Sequence, residues 1–408
     1  MVTASDLQGR RGDGDDERAR NVILLIGDGM GQAHRFAGQL ASVGLHHRLL
    51  MDRMPVAGLM RTTSADPTTF VTDSAAAATA MATGVKTYNG AISLGPDQLP
   101  VPTVLEIARW AGKSVGLVTT CQVTDATPAA FGAHVAQRSD QREIARQFLE
   151  ESRVDVILGG GAAFWHPETP HGSANGSATP RDGDDLVRRA RELGYAVAAT
   201  PDDLWDAAAT HDQVLGLLAE QELFTQGAEW SGGAYDPPMS LADMTRVALS
   251  ILGRNPEGFF LMVEEAAIDR MAHRNNAVLT LRGVEALDAA VAVAVAFAEE
   301  HPDTLVVVAA DHETGGLAVT GPDDPAYPYE VDSDVDEDAE LAGEDGPFRV
   351  AGSDDMRFVV GWTTTGHTSA AVPVTAIGPG AARLGGAYDN THVAGALVEA
   401  MRLSAAVR

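Results

Sequence analysis

Three histidines and four acids lie near the ends of short apolar runs, and these residue types are the ones that hold metal ions. Asp28 closes the run Asn21–Ile26 inside Gly27-Asp28-Gly29-Met30-Gly31. The glycines could suggest a dinucleotide turn, but the G-x-G-x-x-G fingerprint needs glycine where Gln32 stands. A carboxylate flanked by glycines, which let bulky groups approach, suits a metal ligand better. Glu264 ends the run FFLMV, and Asp269 and His273 follow it. Their spacing of four puts both side chains on one face of a helical turn. Asp311-His312 ends LVVVAA, and His367 lies in Thr365-Gly366-His367-Thr368, shortly before another apolar run. A lone histidine is more often a core or surface residue than a ligand. Several histidines and acids at successive run ends form a pattern that chance would scatter. Imidazole and carboxylate without thiolate suit zinc in a catalytic rather than a structural site.

Three further residues carry possible chemistry. Ser74 opens the helical stretch Thr72-Asp73-Ser74-Ala75-Ala76. Locally the favoured role is helix N-cap, which serine supplies well. The alternative is a nucleophile at a helix N-terminus, where backbone N–H groups favour an anion such as phosphate. Thr127 follows Asp125-Ala126, and Arg138 lies beyond Ala133-His134. Thr127 either starts a helix or gives a hydroxyl to a hard cation. Arg138 is either a solvated helix residue or a fork for two phosphate oxygens.

These residues need a scaffold that gathers run ends at one place. Asn21–Ile26, Val115–Thr120, Val154–Leu158, Phe259–Val263, Thr304–Ala309 and Pro373–Ile377 read as buried strands of a parallel sheet. Ser74–Ala82, Val104–Ala111, Gln141–Glu150, Asp184–Leu193 and Leu241–Leu252 read as helices between them, and Ala289–Ala298 as a buried helix. Such alternation predicts an α/β fold, a three-layer αβα sandwich with a mostly parallel central sheet. In such sheets function collects at the carboxyl ends of the strands. Two stretches break the rhythm and read as surface insertions, near 164–185 and 322–347. The second holds eight acids between Asp332 and Asp345. Its start mimics a calcium loop, but Glu337 replaces the turn glycine and Gly343 the bidentate acid, so a solvated acidic loop is the better reading. A polar tail at 1–20 and one domain over 21–408 complete the expected organisation.

Composition removes several function classes. The 408 residues would allow two or three domains or one large α/β domain. With 29 basic against 57 acidic residues the net charge is −28, which argues against a nucleic-acid-binding surface. A single cysteine, Cys121, excludes an intramolecular disulfide and an all-cysteine metal site. No apolar run is long enough to span a bilayer, and no signal peptide is visible at the N-terminus.

The motifs GDGMG, TDSAAAATAMATG, DATPAAFGAHVAQR, VEEAAIDRMAH, ADHETGGL and TTGHT resemble, in order, the motif set of the alkaline phosphatases. The resemblance runs from about Asn21 to the final helix. It implies that Ser74 becomes a phosphoserine and that Arg138 clamps phosphate. It also implies one zinc on Asp28, Asp311 and His312, and a second on Asp269, His273 and His367. Asp28 would further bridge to a magnesium completed by Thr127 and Glu264. Asp125 and Arg270 occupy positions near the phosphate that vary in the family, and an ion pair between them is expected. Glu265 stands where glycine is usual, which leaves the local backbone open. His134 belongs to its motif without an assigned role. A homodimer and a periplasmic or extracellular location are family expectations.

The implied reaction is hydrolysis of phosphate monoesters to alcohol and inorganic phosphate, fastest at alkaline pH. Two metal ions roughly 4 Å apart can stabilise both entering and leaving oxygens of an in-line displacement. The rivals are a phosphodiesterase or sulfatase on the same fold, a phosphate mutase, and a non-catalytic metal- or phosphate-binding protein.

Overall fold

A computed structural model describes residues 18–166, 185–226, 233–321 and 344–403. Its main sheet has ten strands: β1 (Asn21–Gly27), β2 (Val56–Arg61), β3 (Ser114–Gln122), β4 (Val156–Gly160), β5 (Ala196–Ala198), β6 (Val214–Leu217), β7 (Phe259–Glu265), β8 (Thr304–Ala309), β14 (Val372–Ile377) and β15 (Gly386–Asp389). The smaller strands in between are β9 (Glu313–Thr314), β10 (Ala318–Thr320), β11 (Glu344–Arg349), β12 (Arg357–Gly361) and β13 (His367–Thr368). The order across the main sheet is β15-β2-β14-β8-β1-β7-β3-β4-β6-β5. From β8 to β5 all neighbours are parallel, whereas β14 runs antiparallel to both β8 and β2. The predicted αβα sandwich is therefore present, with one reversed strand.

Burial explains why the central strands read as continuous apolar runs. Every residue of β1, β7 and β8 is buried, because helices cover both faces of the sheet. Helices Ala277–Glu300 and Leu241–Leu252 pack on each other and on the central strands. Helices Val104–Trp110 and Ala126–Gly132 pack on β3 and β7 and form part of a second group with Ser74–Thr83 and His392–Ala400. The helix expected at Ala289–Ala298 is much longer, 24 residues from Ala277 to Glu300. Its buried positions, from Ala277, Thr280 and Val284 to Leu287, Val291 and Ala294, recur at helical spacing, so one stripe rather than the whole circumference is covered.

Four predicted boundaries need correction. Residues 1–17 of the polar tail lie outside the described residues, but 18–20 are docked. Arg18 Nε donates to Met401 O at 3.0 Å, and Ala19 N donates to Ala400 O at 2.9 Å. Phe164 and Trp165, expected to open a surface insertion at 164–185, are packed instead. Phe164 closes a 3-10 turn and Trp165 is fully buried, while 167–184 lie outside the described residues. Asp185 at its far end caps helix Leu186–Glu192 by accepting from Arg188 N. The end of the acidic insertion, Glu344–Pro347, belongs to β11, which pairs with β12, and the Phe348 ring packs tilted against Phe358. The calcium-like stretch itself lies outside the described residues. Strands β2, β5, β6 and β15 were not expected, because they are short and lie toward the sheet margins, where the apolar signal is thin.

Candidate active site

Sheet register gathers the candidate ligands. Ile26 pairs with Glu264 of β7 on one side and with Ala309 of β8 on the other, and Glu264 pairs with Thr119 of β3. The carboxyl ends of four adjacent strands therefore lie level, and Asp28, Glu264, Asp311 and His312 emerge beside each other. Gly29 makes the approach possible. Its φ of +69° favours glycine, and a Cβ there would sit 2.6 Å from Thr314 Oγ1 and 3.0 Å from the Asp269 backbone.

Two ligand clusters form among the described residues. Asp28, Asp311 and His312 make one, and Asp269, His273 and His367 the other, with ligand atoms within 4.8 Å of one another in each. His312 Nε2 is 3.4 Å from Asp28 Oδ1 and 3.2 Å from Asp311 Oδ2. His273 Nε2 lies 3.3 Å from Asp269 Oδ1 and 3.0 Å from His367 Nε2. Each histidine spends its other nitrogen elsewhere. Nδ1 of His273 faces Thr365 O at 2.6 Å, that of His367 faces Thr72 O at 2.8 Å, and that of His312 faces Thr314 Oγ1 at 3.2 Å. A carbonyl can only accept, so the His273 and His367 rings carry hydrogen on Nδ1 and turn Nε2 inward.

The oxygens tell the same story. Asp28 Oδ1, Asp311 Oδ2, Glu264 Oε1 and Thr127 Oγ1 are all buried without a hydrogen bond. Buried polar atoms are rarely left so. Burial first, and then the charges of Asp269, Asp311 and Glu264, raise Asp28 well above the usual carboxylate range. Burial likewise pushes Glu264 up to about 8 and Asp311 up to about 6. It drives His312 well below its ordinary value. Burial would raise Asp269 too, but His367, His273 and His312 outweigh it and hold it far down. Closely packed acids that repel one another are relieved by cations, so this donor set could hold metal ions.

Ser74 is 4 % exposed and its Oγ lies 3.1 Å from His312 Nε2. The structure overturns the local N-cap reading. Asp73 is the cap of helix Ser74–Thr83, and its Oδ1 accepts from Ala76 N at 2.9 Å. The serine occupies the first helical position, and its hydroxyl faces the first cluster instead of capping the helix. Asp73 Oδ2 also accepts from Arg138 at 3.3 Å. Arg138 reaches Asp125 Oδ1 at 3.1 Å, and Arg270 reaches Asp125 Oδ2 at 2.6 Å. The expected Asp125–Arg270 pair is thus formed, and Asp125 holds both guanidinium groups. Burial would raise Asp125, but Arg138 and Arg270 bring it down to about 2. The pairing in turn raises Arg270.

Sequence reasoning missed the residues that support these groups. Thr314 Oγ1 donates to Asp269 Oδ1 at 2.5 Å and faces His312, so one hydroxyl joins the two clusters. Glu313 accepts from Gly316 N, Leu317 N and Thr368 Oγ1, tying the His312 loop to the His367 strand. Their signal was position only, one and two residues past a ligand. His134 is structural: it bonds Glu106 and the Ser93 carbonyl.

Residues 19–403 match the alkaline phosphatase family profile. Alkaline phosphatase 3 of Bacillus subtilis is 33 % identical over 95 % of this chain and 90 % of its own length. Streptomycin-6-phosphate phosphatase of Streptomyces griseus is 38 % identical over 94 % of this chain and 91 % of its own. Among solved structures, alkaline phosphatase of Thermus thermophilus superposes with a TM-score of 0.78 at 26 % identity, covering 99 % of this chain and 96 % of that one. The enzyme of the Antarctic bacterium TAB5 gives 0.76 at 27 %, covering 95 % and 99 %.

Proposed function

The chain belongs to the alkaline phosphatase family and is a phosphatase; on that premise we propose that it hydrolyses phosphate monoesters through a phosphoserine at Ser74. The observation that carries this reading is the Ser74 hydroxyl, within hydrogen-bond distance of His312 Nε2 at 3.1 Å and beside a cluster of unpartnered buried oxygens. Asp28, Asp311 and His312 would hold one zinc, and Asp269, His273 and His367 a second. Asp28, Thr127 and Glu264 would hold magnesium, since oxygen-only donors suit that harder cation. Bound there, the cations would favour the ionised serine and offset the charge that develops on the entering and leaving oxygens.

The chain's own residues supply the rest. Ser74 Oγ attacks phosphorus, the ester bond breaks, and the phosphoryl group passes to the serine as the alcohol departs. Water then cleaves the phosphoserine, releasing inorganic phosphate and restoring Ser74. Arg138, steadied by Asp73 and Asp125, would fork the equatorial oxygens on which charge is spread. The two histidine carbonyl anchors keep the ligand rings from turning during the cycle. A homodimer and a place outside the cytoplasm are further proposals drawn from the family; sedimentation and cell fractionation address them.

Two results are expected from kinetics. An aryl phosphate monoester should turn over at least about a hundredfold faster than the matching diester, because Arg138 and the cationic cluster suit a dianion. Preference for the diester would move the reading to the phosphodiesterase branch. Arg270→Lys should relax inhibition by inorganic phosphate roughly three- to tenfold, since a lysine loses the fixed planar fork that Asp125 now holds. Unchanged phosphate inhibition together with unchanged turnover would remove Arg270 from phosphate binding.

A further inference from the structure

Glu265 is the acid that the motif comparison left unexplained, and it is wholly buried. It is the last residue of β7, and its carbonyl accepts from Asp28 N at 3.1 Å. Its carboxylate turns the other way and meets donors alone. Oε1 accepts from Thr120 Oγ1 at 2.9 Å and from Ala267 N at 3.0 Å, and Oε2 accepts from Tyr235 Oη at 2.5 Å. Thr120 Oγ1 in turn accepts from Ala266 N at 3.0 Å.

Ala267–Ala272 is a six-residue helix that carries Asp269 and Arg270 and ends at His273. A helix start leaves several N–H groups without partners, and a side chain normally caps them. Ala266, in the N-cap position, has no side-chain oxygen to do so. Thr120 and Glu265 together accept the two N–H groups that Ala266 and Ala267 present. A negative group there also suits the positive end of the helix. A short helix has little propensity to hold itself, so its placement depends on these contacts and on packing.

We propose that Glu265 is a positioning residue of the metal centre: its side chain caps the helix that bears Asp269, Arg270 and His273, while its main chain holds Asp28, so that one residue sets the spacing of the two ligand clusters. A glycine at this position would have no side chain to cap with. The inference rests on the metal-centre reading above, and its test separates the two.

The test is calorimetric zinc titration of metal-stripped full-length protein, with the melting temperature of the metal-free form alongside. Glu265→Ala should weaken one zinc site by about 10–100-fold, the range typical when a ligand's supporting partner is lost. The weakened site should be the one abolished by His273→Ala, and the other should hold. Glu265→Gln keeps an oxygen for Ala267 N and Thr120, so it should bind zinc almost as the wild type does. Wild-type affinity at both sites in Glu265→Ala would overturn the proposal. So would equal weakening of both, which marks general loosening, or a glutamine variant as impaired as alanine. Should the alanine variant fail to fold, Thr120→Val removes the other half of the cap and carries the same expectation. A wild-type chain that takes up no zinc would overturn the metal-centre reading and this inference with it.

Discussion

Ser74→Ala is expected to lower phosphomonoester turnover by more than about a thousandfold while leaving the fold intact, because it deletes the only atom proposed to accept the phosphoryl group. Ser74 is not the cap of its helix. Asp73 is, and that bond survives the substitution. Alanine is also a better helix former than serine, and four alanines follow at Ala75, Ala76, Ala77 and Ala78. The metal-free melting temperature should therefore stay within about 2 °C of the wild type. A second readout is covalent: acid-quenched wild type given labelled phosphate should carry label on Ser74, and the variant none. Retained turnover in Ser74→Ala, or label on another residue, would sink the phosphoserine step.

Removing metal should abolish activity and also change how stability depends on pH. Two ions, each at about 100 times its dissociation constant, would add roughly 5 kcal/mol to the folded state. That is at least about 5 °C in melting temperature for a chain of this size. The sign of the pH effect follows from the raised carboxylates. Glu264, pushed up to about 8, and Asp311, up to about 6, are protonated more readily folded than unfolded. Their contribution is complete below the unfolded value near 4 and is lost as pH rises through about 6 and about 8. His367, raised by Asp269 against the opposing effect of burial, loses its own contribution in the same direction. Metal-free protein should thus melt at progressively lower temperature from about pH 6 to about pH 9. With ions bound, those carboxylates are ionised throughout and the decline should disappear. A metal-free form whose melting temperature rises over that interval would show that the acids are not packed as described.

The ligand types were legible because a parallel sheet delivers its strand ends to one edge. Asp28, Glu264, Asp311 and His312 could be picked out as residues that end apolar runs. Arg270 and Asp125 were paired on the strength of motif position, and they do meet. Read from its neighbours alone, Ser74 favoured the cap role, since serine and aspartate are both good caps and adjacent residues compete for one helix start, whereas the motif resemblance marked it as the nucleophile. The local reading also placed Phe164 and Trp165 in a surface insertion, because glycine and proline nearby outweighed the single large aromatic that the core takes in. The strands β5, β6 and β15 escaped because a run of three or four residues carries too little pattern to separate it from a loop, and β2 because Gly58 interrupts it and most of its residues are not buried.

By itself the sequence determined the donors, their order and the helices and strands that carry them, since those follow from side-chain chemistry and from local periodicity. Only the tertiary structure decided how the donors face one another. Nothing in the spacing of Asp28, Asp269 and His312 says that β1 lies between β7 and β8, or that β13 pairs with β9 to bring in His367, and both are needed to bring the two clusters together. The anchors on Thr72, Thr365 and Thr314, and the cap made by Thr120 and Glu265, join residues far apart in the chain or turned by a local bend. Such bonds depend on strand register and on buried atoms finding partners, and both are settled only when the whole sheet is assembled.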